Sequence, residues 1–162
     1  MAGLTGRRQV LRRLGAVVGI AAVAACTPVA TQLPYAPSDG ARAVLGDEVT
    51  IENLLILTTA EGEPALVIGG VTNRSDEATT VTLTVGETSP LEVSVDPHDT
   101  VLLNPANGET LILDASPTPP GTSIPVTIST PTAGSTTVQV PVLDGTLAPY
   151  DAYLEALQDA PA

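Results

Sequence analysis

One histidine, one cysteine and three tyrosines are the side chains from which chemistry would have to be built in this 162-residue sequence; the single methionine is the first residue and lysine is absent. His98 stands in Asp96-Pro97-His98-Asp99, where an imidazole and two carboxylates share one turn. That grouping suits half of a metal site or an Asp–His dyad, and histidine is the side chain that titrates near neutrality when unperturbed. The same four residues also make an ordinary solvated turn, because Asp-Pro ahead of a strand is common turn chemistry. One histidine does not complete a metal site, so His98 is only a candidate ligand. Nucleophilic catalysis lacks its parts: there is no lysine and no Gly-x-Ser-x-Gly elbow. No spacing marks two carboxylates as an acid–base pair. The expectation is no catalytic residue, no cofactor and no enzyme activity.

Cys26 ends a different pattern. Arg7, Arg8, Arg12 and Arg13 precede a run of small apolar residues from Leu14 to Ala25. That run falls short of the roughly 20 apolar residues a membrane span needs. A cationic start followed by a short apolar stretch reads as a secretory signal over residues 1–25. Arg7-Arg8-Gln9-Val10-Leu11 resembles a twin-arginine signal, and the four arginines also suit Sec export. Val23-Ala24-Ala25-Cys26 resembles the lipobox of bacterial lipoproteins. That resemblance implies a diacylglyceryl group on the Cys26 sulfur and cleavage that makes Cys26 the new N-terminus. The open alternative is a plain signal followed by an incidental cysteine. A lone cysteine excludes an internal disulfide framework. The expected location is the outer face of the cytoplasmic membrane, lipid-anchored in the cell envelope.

Cleavage there would leave Arg42 and Arg74 against all 18 carboxylates, a formal charge of −16 compared with −12 for the whole chain. Such a surface repels phosphate backbones and anionic headgroups, so nucleic acid is not an expected partner. Stacking platforms for sugars or unpaired bases need aromatic faces, and residues 41–143 contain none. Asn73-Arg74-Ser75 has the form of an N-glycosylation acceptor but is discounted behind a bacterial lipoprotein signal.

Short strands must position these residues. Residues 26–40 hold Cys26 and a Pro-rich tether with a reach of about 20–45 Å. Val49 to Leu57, Ala65 to Thr72, Thr80 to Val85 and Leu91 to Val95 follow, then Thr100 to Leu103, Thr110 to Leu113, Val126 to Thr130 and Thr136 to Val142. In the clearest of them Val81, Leu83 and Val85 alternate with threonines. Period two, β-branched residues and Gly/Pro/Asn/Asp punctuation predict half-buried antiparallel strands. The fold expected over 41–143 is all-β: an antiparallel immunoglobulin-like or cupredoxin-like sandwich of about seven to nine strands. The immunoglobulin landmarks, a Cys pair and a core Trp, are absent. Ser116 to Ser123 forms a Pro-rich loop, functional or simply a stiff spacer. The tail, 144–162, carries a short helix predicted over Asp151–Asp159. Tyr150, Tyr153, Leu154 and Leu157 form one apolar stripe on it. The stripe either docks on its own sandwich, meets an envelope protein partner, or frays.

Two stretches carry a wider resemblance. Gly121 to Ile128 followed by Ala133 to Val142, ending Val138-Gln139-Val140-Pro141-Val142, resembles the last strands of the periplasmic PCu(A)C copper chaperones. Val71 to Ala78 is similar to their N-T-G-D-E-A strand and turn. The signal, Tyr35 to Gly40 and the same strand order resemble small actinobacterial lipoproteins of LpqE type. The resemblance implies a sandwich over 41–143. It also implies a copper site of two His and two or more Met, soft donors suited to Cu(I). Its His-x-Met would fall near Glu109-Thr110-Leu111-Ile112, so the scaffold is expected without the ligands.

Overall fold

The computed structural model describes residues 38–158; the signal-like segment, Cys26 and the tether up to residue 37 lie outside the described residues. Nine strands and one helix are found there: β1 (Ala41–Leu45), β2 (Val49–Thr58), β3 (Ala65–Asn73), β4 (Thr79–Val85), β5 (Leu91–Val95), β6 (Thr100–Leu103), β7 (Leu111–Leu113), β8 (Ser123–Thr130), β9 (Gly134–Leu143) and α1 (Tyr150–Gln158). The all-β expectation holds. Among the described residues no helix is long and apolar enough to cross a membrane.

The alternating strands build one wall. β5, β4, β8 and β9 lie side by side, all antiparallel. Val81, Leu83, Val85, Val126 and Ile128 point inward from it and are buried. The other wall is organised by β2 and β3, whose sequences run apolar without alternating. A strand covered on both faces reads as a continuous apolar run. Leu54, Ile56, Ala65 and Val67 enter the main core. Leu55, Leu57, Leu66 and Ile68 point the other way and form a second apolar cluster with α1.

The two walls meet where β9 runs beside β2, with Ile56 opposite Val142 and Leu57 opposite Leu143. This pair is parallel, which amends the purely antiparallel expectation and makes the sheet mixed and nearly closed. Parallel neighbours need a long crossover; here everything from β3 to β8 supplies it.

β2 changes neighbours along its length. β1 pairs with its first half and β9 with its second, and the register slips between Glu52 and Leu55. Asn53 sits at the slip with φ 54°, a left-handed conformation that asparagine tolerates better than most residues. Opposite it, a Cβ on Gly69 would lie 3.2 Å from the Glu52 carbonyl oxygen and 3.3 Å from the Leu54 Cα. The bulge therefore needs a glycine across from it. β1 was not foreseen, because Ala41 and Ala43 give little hydrophobic signal, yet Ala43 and Leu45 are buried. The Pro-rich loop is fastened at both ends. Ser116 exchanges backbone hydrogen bonds with Gly62 and Glu63, and Gly121 N–H donates to the Val142 carbonyl at 2.8 Å.

Candidate functional site

His98 occupies the β5–β6 turn with φ 56°. Its partner is not a carboxylate of its own turn. Nε2 lies 2.8 Å from Asp76 Oδ1 in the β3–β4 turn, and the two side chains are 63% and 96% exposed. Asp99 instead accepts the Thr100 N–H at 2.7 Å. A polar contact this open to water contributes little. Among the described residues no three His, Cys, Asp or Glu come together in a way that could hold a metal.

Asn73, at the end of β3, joins the same two turns from inside. It is 1% exposed. Its Nδ2 donates to the carbonyls of Glu77, Val95 and Asp96, and its Oδ1 accepts from Ser75 N–H and Oγ. The amide of the Asn-Arg-Ser tripeptide is thus inside the fold, where a glycosylating enzyme does not reach it. The sequence marks this residue as part of a glycosylation tripeptide and of the Val71–Ala78 resemblance, and neither points to its role as the amide that joins two turns.

The stripe of α1 lies on the outer face of β2 and β3. Tyr150 and Leu154 are each 6% exposed among Leu55, Leu57, Leu66 and Ile68, while Tyr153 and Leu157 are half-buried at the margins. Tyr150 reaches through the layer to donate its hydroxyl to Asp39 Oδ2 at 3.0 Å. Burial first, then the Asp39 carboxylate, holds the Tyr150 phenol above its ordinary pKa. Next to this bond Gly40 N–H donates to Asn53 Oδ1 at 2.8 Å. A Cβ on Gly40 would fall 2.4 Å from the Asn53 carbonyl carbon. Ser38-Asp39-Gly40 is therefore a clamp that fastens the start of the domain to the β2 bulge and to α1.

Beside the clamp, between α1 and the outer face of β3 and β6, lies a groove of about 480 Å³. Tyr150 and Tyr153 wall one side, with ring centroids 6.5 Å apart and tilted by 54°. Leu102, Thr72 and Asn53 line the rest over a floor at Gly70. None of these was singled out from the sequence except the tyrosines. The only signal was the break in alternation at Asn53.

Comparison with solved structures now has a geometry to act on. The copper-bound PCuAC domain from PmoF2 aligns with 21% identity and a TM-score of 0.50, covering 64% of this chain and 98% of that domain. The apo PCuAC domain from PmoF1 gives 15% and 0.52, covering 63% and 98%. The apo PmoF2 PCuAC domain gives 20% and 0.52, covering 66% and 98%. The sandwich has a PCuAC-like fold. No protein-family model matches the chain, and no curated protein matches it. On this PCuAC-like scaffold Glu109 and Thr110 lead into β7, and Leu111 and Ile112 are its first two residues. Glu109 N–H donates to the Leu102 carbonyl at 2.7 Å, Leu111 is buried, and Ile112 faces out.

Proposed function

We infer that this chain is a lipid-anchored protein of the outer face of the cytoplasmic membrane, a non-catalytic binding or accessory module of LpqE type. The observation that carries the reading is a PCuAC-like fold on a sequence poor in soft donors. Its one histidine is bound to Asp76 in solvent, its one methionine is residue 1, and its one cysteine closes the signal. The anchor is supported by the arginines, the short apolar run and Val23 to Cys26. The two acyl chains of a diacylglyceryl group suffice for stable membrane attachment. An envelope protein partner would meet the half-exposed margin of the stripe, at Tyr153 and Leu157. The acidic surface argues against nucleic acid.

The Cys26→Ser variant is expected to be released from membranes or to stay unprocessed, as read by fractionation and N-terminal mass. Cleavage after Ala25 with retention on the membrane would overturn the anchor.

The fold's likeness to a copper-bound domain favours a second reading: a copper-handling protein whose missing ligands come from a partner. For the purified protein alone we expect no competition with a Cu(I) chelator. Thioether and imidazole donors, which suit this ion, are too few to complete a site. Stoichiometric capture of Cu(I) from the chelator, lost in His98→Ala, would move the second reading to first place.

A further inference from the structure

The floor of the groove beside α1 contains a glycine that the backbone does not need. Gly69 is required by the bulge, but Gly70 is not. Its φ is not positive, and a Cβ there would meet only Leu102 Cδ2, at an ordinary 3.7 Å. Glycine in a strand interior weakens the strand, and where no bulge or turn demands it, it marks a place where something approaches the sheet closely. On the outer face Gly70 lies between Ile68 and Thr72, opposite Leu102 of β6. Its missing side chain opens the hollow that Tyr150 and Tyr153 overlook.

The lining indicates what fits. Glu52 is the one charged side chain on it, and that carboxylate is held 2.6 Å from Arg42 Nε. With Glu52 paired, the nearest uncompensated charge is the Asp39 carboxylate behind the Tyr150 hydroxyl, which is not on the lining itself. An anion would be repelled by the surroundings, and a cation would find carboxylates elsewhere more readily. The remaining surface alternates aromatic and aliphatic faces with the amides of Asn53 and Asn104 and the hydroxyls of Thr72 and Thr100. The two hydroxyls bond each other at 2.9 Å, and the amide oxygens accept from Gly40 N–H and from Ala106 and Asn107 N–H, so a ligand meets the amide N–H groups and what the hydroxyl pair has left over. Amides and hydroxyls both donate and accept. A ligand matched to them has an apolar C–H face ringed by groups that also do both. The volume lies within the range of small-molecule sites.

We propose that this groove binds a neutral saccharide, with its C–H face on Tyr153 and its edge over Gly70. Residues 41–143 carry no aromatic platform for a sugar; the C-terminal helix brings two tyrosines to them from outside that range. This deepens the binding-module reading and does not depend on the anchor. The Cys26→Ser experiment can fail while this one succeeds, and the reverse.

The chain has no tryptophan, and two of its three tyrosines wall the groove, so intrinsic tyrosine emission reports on the site directly. Full-length protein is titrated with neutral trisaccharides of glucose, mannose, galactose and arabinose, and with a uronic-acid trimer. At least one neutral trimer is expected to give a saturable change, with the acidic trimer weaker. Tyr153→Ala is expected to weaken binding about tenfold, and Gly70→Leu, which fills the hollow, to abolish it. Running the matching monosaccharide separates the sources: tighter binding of the trimer assigns the groove to a glycan chain, equal binding to a free sugar. No saturable response from any neutral trimer overturns the proposal, as does binding undiminished in both variants. Gly70→Ala supplies an independent check, because a glycine kept for the hollow is replaceable in the fold. It should melt at least as high as the parent, and a marked fall in melting temperature would also overturn the proposal.

Discussion

A chain truncated after Gly145 is expected not to fold. α1 buries Tyr150 and Leu154 and covers Leu55, Leu57, Leu66 and Ile68. Each fully buried side chain of this kind contributes about 1.5–3 kcal/mol. Six of them amount to about 9–18 kcal/mol, and that is an upper figure because unfolded chains hide part of this surface already. The whole stability of a domain is about 5–15 kcal/mol, so even half the sum removes most of it. The truncated chain should aggregate or lack a cooperative thermal transition in circular dichroism. Leu154→Ala is the graded version and should cost about 2–5 kcal/mol while leaving a measurable transition. Tyr153→Ala, at the margin, should cost far less. A truncated domain that melted like the parent but lost its envelope partners in a pull-down would make the helix an interaction element instead of a structural layer.

Asn73→Ala is expected to be the most damaging single polar substitution. It removes the donor to the fully buried Val95 carbonyl and the acceptor of the Ser75 N–H, while the Glu77 and Asp96 carbonyls keep Ser75 Oγ and the Asp99 N–H. Unsatisfied buried groups cost about 1–3 kcal/mol each. The Ser75 bond is part-buried, so water will recover some of that loss, and a total of about 2–3 kcal/mol follows. For a domain of this size that is a fall of roughly 5–15 °C in melting temperature. Asn73→Asp separates hydrogen bonding from shape. The carboxylate still accepts from Ser75 but has no N–H for the three carbonyls, so it should be no better than alanine at neutral pH. A melting temperature within a degree or two of the parent for either variant would show that the two turns hold without this amide.

Most of the walls could be read in the sequence, because Val81, Leu83 and Val85 alternate with threonines and strand burial has that same period. The helix was readable for the analogous reason, and it begins at Tyr150, one residue before the predicted start. Three features were not. β1 reads Ala-Arg-Ala-Val-Leu and buries only Ala43 and Leu45, which leaves little hydropathy contrast. The parallel pairing of β9 with β2 is a property of closure, which no local pattern encodes. The bulge was visible only as a break between Glu52 and Leu54, and its meaning depends on Gly69 and Gly40 elsewhere in the chain. The site suffered most from this. His98 was read with the carboxylates beside it in sequence, whereas its partner Asp76 comes from the neighbouring turn. The groove was hidden because its aromatic wall and its floor lie some eighty residues apart.

The clamp at Ser38-Asp39-Gly40 also decides how the domain answers to mechanical load. Any pull arriving through the residues before Ser38 meets the Asp39–Tyr150 and Gly40–Asn53 hydrogen bonds before it reaches the first strand pair. Force is therefore divided at the threshold, part going to the C-terminal helix and part to the bulge, and β1 is shielded from being peeled off β2 one bond at a time. Once the clamp yields, Tyr150 loses its partner in the same event, so the first give in the structure is felt at both ends of the domain together.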